Sequence, residues 1–358
     1  MQRTSLEKSY NGQLRQPVIV QSNYPMHDLK DGVTIVTGGA GLIGSATIWG
    51  INNQNLQNVW LVDWVEEDSL KQKNLDNLQY QRFLDAKVFR ELIREKSDDL
   101  SEVKTIIHLG ACSSTTETNK AYLEDNNFLY TQEICEWSLD SNVRFIYASS
   151  AATYGDGSAG MDDQDEDIEK LSPLNLYGWS KHNFDLLAKE RGWLDRITGL
   201  KYFNVYGPNE EHKGDMRSVV SKAYQQIAQT GKMSLFKSHR PEYKDGEQKR
   251  DFLYIKDAVQ MTLWLAQNEK ATGLFNLGNG LARTWLDLGI SIFSALKKDA
   301  QIEFVEMPEN LRDKYQYFTQ AKIEKLRNQG YKHDLFSLEE AVGDYVSNYL
   351  IPDLKLGN

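Results

Sequence analysis

The stretch Thr37-Gly38-Gly39-Ala40-Gly41-Leu42-Ile43-Gly44 stands between a β-rich run, Val33 to Thr37, and a pattern typical of a helix. Glycine lacks a β-carbon, so the backbone can turn tightly here and approach a pyrophosphate group. The amides and positive end of the following helix would balance the charge of that group. The stretch therefore predicts a Rossmann-type dinucleotide site, with contacts from Gly38, Gly41, Leu42, Ile43 and Gly44.

The residues after the next β-rich run bear on the choice of dinucleotide. Asp63 ends that run 19 positions after Gly44, where an acid commonly binds the ribose hydroxyls of NAD. Lys71 follows, and a cation near the acid can receive the 2′-phosphate of NADP. We therefore expect Asp63, Trp64 and Lys71 at the adenosine ribose, and both NADP and NAD stay open.

Further β-rich runs alternate with helical stretches along the chain. The runs are Val59 to Asp63, Thr105 to His108, Arg144 to Ala148 and Thr198 to Phe203, and the clearest helices are Ala121 to Asp140 and Tyr177 to Glu190. This alternation predicts an α/β fold, a Rossmann-type doubly wound parallel sheet with helices on both faces.

Three regions follow from the same pattern. Residues 1–31 are polar and aperiodic, and we interpret them as an N-terminal extension of unknown role. Residues 32–203 are mainly the dinucleotide-binding Rossmann domain. Residues 204–358, which contain short β-rich runs at Leu274 to Leu277 and Ile302 to Val305, are mainly a smaller mixed α/β substrate lobe. We expect some segments of this lobe to return to the Rossmann domain.

Bulk composition limits the classes of partner. The 358 residues carry a formal net charge of -10, which argues against nucleic acid and against an anionic membrane surface. Apolar runs are too short to span a bilayer, and the first residues lack the hydrophobic core of a signal peptide. With two cysteines, Cys112 and Cys135, the simplest location is a reducing cytoplasm, and no metal site is expected.

Tyr177 and Lys181 lie one helical turn apart, downstream of the glycine-rich turn. An ammonium at that spacing stabilises a phenolate, so the pair is suited to proton transfer. The spacing alone is a weak signal, but beside a dinucleotide site it indicates that a nicotinamide cofactor meets an alcohol. Ser150, after a β-rich run, either holds a substrate oxygen against Tyr177 or caps a turn.

With these residues assembled, the chain resembles the extended short-chain dehydrogenase/reductase superfamily, whose pattern is a glycine-rich turn, a serine after the fourth strand and Tyr-x-x-x-Lys. Within it the chain is most similar to the ADP-glyceromanno-heptose 6-epimerase family. The similarity covers about residues 33–350 and is carried by GGAGLIG (38–44), GACSSTTE (110–117), ASSAATYG (148–155), PLNLYGWSK (173–181), YFNVYGPNEEHKG (202–214), KRDFLYIKD (249–257), FNLGNG (275–280) and KYQYFTQA (314–321).

The resemblance implies a reaction and its residues. ADP-D-glycero-D-manno-heptose would be converted to its L-glycero epimer at C6, through a transient ketone, as a precursor of the lipopolysaccharide core. Tyr177 and Lys213 would be the two acid/bases, with Lys181 as partner of Tyr177 and Ser150 as a hydroxyl donor. One proton-transfer group for each orientation of the ketone suffices to invert a secondary alcohol by oxidation and reduction. Without its flanking match, Lys213 would be interpreted as a solvated surface lysine.

The resemblance also implies the binding residues. Tightly bound NADP, or alternatively NAD, would contact residues beyond the glycine-rich turn and Asp63, namely Leu109, Gly110, Ala111, Cys112, Ser113, Asn126, Lys181, Val205 and Lys213. The nucleotide sugar would contact Ser150, Asn204, Asp215, Lys222, Phe236, Lys237, Ser238, His239, Arg250 and Tyr315. A homo-oligomer, specifically a homopentamer, is also implied.

Three positions depart from the family pattern, and several residues have simpler interpretations. Asp215 and Lys222 stand where serine and histidine are expected, and Trp64 where asparagine is expected. Arg250 can instead pair with Asp251 or Asp245, and Cys112 can be a packed small hydrophobe.

Two alternative functions are weighed against the epimerase. The first is a UDP-sugar 4-epimerase or a dehydratase of the same superfamily. A dehydratase typically has an acidic pair after the serine, but Ala151-Ala152-Thr153 follows Ser150 here, which argues against dehydration. The second is a non-catalytic NAD(P)-binding sensor, which need not keep Ser150, Tyr177, Lys181 and Lys213 together.

Overall fold

The computed structural model describes residues 27–67, 69–312 and 315–358. Most of the expected N-terminal extension, residues 1–26, lies outside the described residues. The strands are β1 (Val33–Thr37), β2 (Val59–Asp63), β3 (Arg82–Asp85), β4 (Val103–His108), β5 (Arg144–Ser150), β6 (Thr198–Tyr202), β7 (Asn204–Tyr206), β8 (Met233–Phe236), β9 (Lys249–Tyr254), β10 (Gly273–Leu277), β11 (Ala282–Thr284) and β12 (Ile302–Val305).

The α-helices cover both faces of the sheet and much of the second half of the chain. They are α1 (Leu42–Asn52), α2 (Ala86–Arg94), α3 (Lys120–Leu123), α4 (Tyr130–Asp140), α5 (Leu176–Glu190), α6 (Val219–Thr230), α7 (Ile255–Gln267), α8 (Trp285–Ala295), α9 (Glu309–Arg312), α10 (Glu324–Asn328) and α11 (Leu338–Tyr345). In the described part of the chain, no helix is both long and apolar enough to cross a membrane.

Seven parallel strands form the central sheet in the order β10-β6-β5-β4-β1-β2-β3. Successive side chains of a strand point to opposite faces, and both faces are buried here. Ile35 of β1 therefore packs in one apolar cluster with Phe145 and Phe184, while Val36 packs in the other with Ala46 and Val259. The predicted doubly wound parallel sheet is confirmed.

The order of the strands places a crevice beside β1. The chain runs outward from β1 to β2 and β3, then returns to β4 on the other side of β1. Ligands of such sheets bind outside the carboxyl ends of the strands at this point of reversal. The glycine-rich turn after β1 and the segment after β4 therefore meet at one edge of the sheet.

The remaining strands form two small sheets. One has the order β11-β9-β7, with β7 parallel to β9 and β11 antiparallel to it, and the other pairs β8 with β12 in parallel. Strand β10 instead returns to the central sheet, where it pairs with β6. The chain thus returns to the central sheet between β9 and β11, which pair with each other in a small sheet.

The helix expected over Ala121 to Asp140 is interrupted by a π-helical turn at Glu124–Leu129, between α3 and α4. The carbonyl oxygen of Asn127 in this turn accepts a hydrogen bond from the Thr131 hydroxyl at 2.6 Å. Such turns inside α-helices are frequent at functional sites. Here the turn holds the side chain of Asn127 toward the segment that follows β4.

Candidate active site

A cavity of about 710 Å³ lies at the carboxyl edge of the central sheet. It brings together residues from many separate segments of the chain, between the glycine-rich turn and α8. The predicted site residues that line it are Gly38, Gly41, Leu42, Ile43, Gly44, Asp63, Lys71, Leu109, Gly110, Ala111, Cys112, Ser113, Ser150, Tyr177, Lys181, Asn204, Val205 and Lys213.

The glycine-rich turn forms a cradle for an anion. Helix α1 begins at Leu42 after Gly41, and no side chain caps its first amides. A β-carbon on Gly44 would lie 2.0 Å from the carbonyl oxygen of Gly38, so only glycine allows the helix to approach the turn this closely. An uncapped helix start lining a cavity suits a pyrophosphate, as the sequence predicts.

The ribose end of the cavity carries an acid and a cation in contact. Asp63 is buried; its Oδ2 accepts a hydrogen bond from the Ala40 amide at 2.9 Å, and its Oδ1 accepts one from the Trp64 amide at 2.7 Å. Lys71 Nζ lies 2.5 Å from Asp63 Oδ1 and donates to the Trp64 carbonyl at 2.9 Å. The Trp64 side chain is 58% exposed and does not line the cavity.

Asn127, which the sequence analysis missed, holds the segment after β4. Its side chain accepts from the Cys112 amide at 2.8 Å and donates to the Cys112 carbonyl at 2.9 Å. It also donates to the Ser180 hydroxyl on α5 at 2.9 Å, so it links this segment to the helix that carries Tyr177. The predicted Asn126 does not line the cavity and contacts Asn127 at 3.0 Å.

The start of α5 places Tyr177 beside Ser150. The Asn175 side chain accepts a hydrogen bond from the Gly178 amide at 2.8 Å and so caps the helix at Leu176. A β-carbon on Gly178 would lie 2.9 Å from the Ala152 carbonyl, so glycine lets this helix approach the turn that follows β5. Tyr177 then shares a hydrogen bond with the Ser150 side chain.

Burial controls the proton affinities of this pair. The pKa of Tyr177 is raised because the phenolate is desolvated, an effect that outweighs the opposing hydrogen bond from Ser150. Burial lowers the pKa of Lys181 to about 8. The expected downward shift of the Tyr177 pKa by Lys181 is therefore not what the structure shows: burial dominates, and the tyrosine hydroxyl stays protonated at neutral pH.

Lys213 enters the same cavity from the segment after β7. It lies in a short 3-10 helix, Glu211–Met216. Burial lowers the pKa of Lys213, and the Glu210 carboxylate opposes that shift. Its neighbour His212 has its pKa lowered to about 4 by burial and by nearby lysines, so the imidazole is neutral at pH 7. A neutral ring suits its contact with the Asn74 side chain at 3.2 Å.

Asp215 and Lys222, the two departures in the predicted sugar site, contact each other. Lys222 Nζ donates to the Asp215 carbonyl oxygen at 3.3 Å. Both residues are exposed, and neither lines the cavity. The structure thus places them at the surface beside the segment that carries Lys213.

Arg250 belongs to an aromatic cluster next to the cavity. Its guanidinium lies 5.0 Å from the ring centre of Tyr315 and 5.6 Å from that of Trp285, which lines the cavity. The Trp285 ring N–H donates to the Tyr315 hydroxyl at 2.8 Å, and Phe236 packs edge-on against Tyr315. The cluster thus connects three predicted sugar-site residues, Arg250, Tyr315 and Phe236, to Trp285 in the cavity wall.

Neither expected carboxylate pairs with Arg250 among the described residues. Asp251 accepts three backbone amides, from Asn279, Gly280 and Ala321, and Asp245 accepts the Ser238 amide. The Arg250 side chain donates instead to the Lys249 carbonyl at 2.8 Å. Lys237 and His239 lie near Glu306 rather than in the cavity.

Several cavity residues carried no recognisable signal in the sequence. Arg217, Phe252 and Trp285 line the cavity, and Arg217 Nε donates to the Gly214 carbonyl at 3.0 Å. Phe252 lies within the motif KRDFLYIKD, and Arg217 lies just after the motif that ends at Gly214. A sequence motif does not indicate which of its side chains face a ligand. Trp285 begins α8, outside every matched motif.

A doubly wound parallel sheet with serine, tyrosine and lysine at its dinucleotide crevice defines a short-chain dehydrogenase/reductase. Within that class, the chain belongs to the NAD dependent epimerase/dehydratase family, whose model matches residues 34–278. A nicotinamide dinucleotide is therefore its cofactor, and the uncapped start of α1 fits one.

Relatives agree with this assignment. The chain is 49% identical to ADP-L-glycero-D-manno-heptose-6-epimerase of Nitratidesulfovibrio vulgaris, over 88% of this chain and 97% of the relative. It is 44% identical to the protein of that name from Fusobacterium nucleatum, with the same coverage. The crystal structure of the Helicobacter pylori protein of that name has a TM-score of 0.75 and 26% identity, covering 91% of this chain and 98% of that one.

Proposed function

We propose that this protein is an ADP-heptose 6-epimerase, which converts ADP-D-glycero-D-manno-heptose to ADP-L-glycero-D-manno-heptose for lipopolysaccharide core synthesis. The observation that carries this proposal is that Tyr177 and Lys213 line one cavity from different halves of the chain. A dehydrogenase needs one acid/base at its alcohol, whereas a second group in the same cavity can serve the other orientation of the ketone during inversion. The high identity to relatives with this name supports the same substrate.

The reaction balances without net oxidation. The C6–H bond breaks as hydride and the O6–H bond as a proton, which leaves a ketone at C6. The ketone turns over in the cavity, hydride returns to the opposite face, and a proton returns to O6. When bound, the nicotinamide supplies the hydride acceptor and returns the hydride. Because one group gains a proton and the other loses one, the two must re-equilibrate before the next turnover.

The chain's own residues divide the proton transfers. Tyr177, protonated at neutral pH, is suited to donate a proton to O6, and Ser150 holds the same oxygen through its hydroxyl. Lys213, whose pKa burial lowers, is suited to accept the O6 proton of the other epimer. In the reverse reaction the two roles exchange. Lys181 contributes its positive charge beside Tyr177 and the ribose of the cofactor.

Basic and aromatic side chains suit the nucleotide sugar. Arg250 is buried without a carboxylate partner among the described residues, so it is available to fork onto diphosphate oxygens. Phe236, Tyr315 and Trp285 offer ring faces for the nucleotide base. Asn204, at the start of β7, is exposed in the cavity and suits a sugar hydroxyl.

The defining test is epimerisation itself. Purified protein should carry tightly bound nicotinamide cofactor and convert ADP-D-glycero-D-manno-heptose to its C6 epimer without net oxidation. Proton NMR of the sugar at C6 measures the conversion. An unchanged sugar, together with turnover of UDP-galactose, would mean that the protein is a UDP-sugar 4-epimerase instead.

We also propose NADP as the preferred cofactor, because Lys71 stands beside Asp63 at the ribose. Lys71→Ala should weaken NADP binding by about 10-fold or more while changing NAD binding little. Without the cation, the Asp63 carboxylate alone would face and repel a 2′-phosphate. Calorimetric titration of cofactor-free protein with each dinucleotide measures the preference.

Lys73→Ala is the matched control for this cofactor test. Lys73 lies two positions away on the turn Gln72–Leu75, is exposed and does not line the cavity. An unchanged ratio of NADP to NAD affinity in Lys71→Ala would reject the role of Lys71. On the resemblance, we further propose a cytoplasmic homo-oligomer, whose subunit number light scattering would measure.

A further inference from the structure

The segment that carries Lys213 is anchored by a buried carboxylate. The Glu210 side chain is completely buried, and its own carbonyl oxygen accepts the Lys213 amide at 3.0 Å. Its carboxylate accepts three hydrogen bonds: from the Ser218 amide at 2.5 Å, the Ser218 hydroxyl at 2.6 Å and the Tyr345 hydroxyl at 2.9 Å. Glu210 thus closes the segment from residue 210 to residue 218 into a loop that contains Lys213.

One of these donors comes from the far end of the chain. Tyr345 is the last residue of α11, is fully buried, and lies 135 positions from Glu210. The following residues hold the same loop: Lys355 forms an ion pair with Glu211, and the Leu356 amide donates to the Asn209 side chain at 3.1 Å. The C-terminal segment therefore packs directly on the loop that presents Lys213.

The buried carboxylate also has an electrostatic effect on the amine. Burial raises the pKa of Glu210, because a charge far from water is expensive, while the hydrogen bonds from Ser218 and Tyr345 oppose that shift and favour the ionised carboxylate. An anion at the base of the loop stabilises the ammonium form of Lys213 and opposes the desolvation of its amine.

We propose that Glu210, held by Tyr345, is a positioning residue for Lys213: it fixes the loop that carries Lys213 and favours the ammonium form of its amine. This inference rests on the acid/base role of Lys213 in the proposed function. Other charged or titratable groups lie on the Lys213 loop or line the same cavity, and the E210Q substitution leaves them unchanged. They are His212, Arg217, the Glu211–Lys355 pair, Asp63, Lys71, Tyr177 and Lys181.

The test compares E210Q and Y345F with wild type in two measurements. The first is kcat for epimerisation against pH, with KM measured at each pH. The second is the pH dependence of acetylation of the Lys213 amine by acetic anhydride, followed by mass spectrometry, which needs no substrate. Y345F keeps the Glu210 side chain, so it tests the idea even if E210Q does not fold.

Y254F is the matched control. The Tyr254 hydroxyl also donates to a buried carboxylate on α11, that of Asp344 at 2.6 Å, but Asp344 does not belong to the Lys213 loop. Y254F thus removes a hydrogen bond between a tyrosine hydroxyl and a carboxylate at Asp344, the residue of α11 next to Tyr345. It should therefore leave the Lys213 acetylation curve at its wild-type position.

In E210Q, we expect kcat to fall about 10-fold with a smaller change in KM, and the acetylation curve of Lys213 to move to lower pH. Y345F should also lower kcat and move the acetylation curve of Lys213 to lower pH, but by smaller amounts than E210Q. If activity fell while the pH dependence of Lys213 acetylation stayed at its wild-type position, Glu210 would be only a structural residue and the proposal would be wrong. The proposal would also be wrong if both variants behaved like wild type. If wild type fails to invert C6 while the curve still moves, the proposed function fails, but the effect of Glu210 on the Lys213 amine stands.

Discussion

Tyr177→Phe is expected to lower kcat for epimerisation by at least about 100-fold, the usual size of an acid/base contribution. Phenylalanine keeps the ring and its packing but removes the phenolic proton beside Ser150. Because Tyr177 is not among the residues proposed to hold the pyrophosphate, the variant should retain its cofactor. The measurement is kcat from NMR progress curves in both directions, beside the cofactor content of the purified protein.

Tyr331→Phe is the control for this prediction. It removes a buried tyrosine hydroxyl that lies outside the cavity and has no hydrogen-bond partner in the described part of the chain. Its activity should equal that of wild type. If Tyr177→Phe kept more than about a tenth of the wild-type kcat, proton transfer by Tyr177 would not be part of the rate-limiting chemistry.

Lys213→Met is expected to reduce kcat by at least about 100-fold as well, since methionine is of similar length but carries no proton. Burial lowers the pKa of Lys213, so the amine becomes neutral and able to accept a proton as pH rises through that lowered value. The wild-type rate should therefore rise with pH over this range. Lys213→Met should lose that rise together with most of its rate.

Lys232→Met serves as the control for Lys213→Met, because Lys232 is exposed and pairs with Glu303 on the surface. Its pH profile should match that of wild type. Full activity in Lys213→Met would show that a single acid/base serves both epimers. The scheme of two proton-transfer groups would then be wrong, while the family assignment would stand.

The strands of the central sheet were predictable where both faces are buried. Strands β1, β2, β6 and β10 are buried along their whole length, so their sequences are short runs of mostly apolar and small residues, with Asp63, Lys201 and Asn276 as buried exceptions. Strand β3, Arg82–Asp85, was missed because it lies at the edge of the sheet and only Leu84 is buried. A four-residue edge strand with charged ends carries too little hydrophobic pattern to be recognised.

The candidate site was predictable as a set of motifs but not as a set of contacts. The motifs identify Tyr177 and Lys213, and the structure places both in one cavity. Asn127 and Glu210 act through hydrogen bonds to residues as far as 53 and 135 positions away, and no local pattern encodes such distances. The raised pKa of Tyr177 was likewise hidden, because burial is a property of the folded chain.

The return of β10 to the central sheet has a consequence for how the protein is made. A ribosome releases the strands from β1 to β6 well before it adds Gly273–Leu277, so an edge of β6 stays unpaired while roughly a fifth of the chain, residues 203–272, emerges. The loop around Lys213 then waits for Tyr345 and Leu356, which are added later still. Nascent chains therefore expose an open sheet edge but no finished catalytic centre, and chaperones that shield strand edges should matter most in that interval.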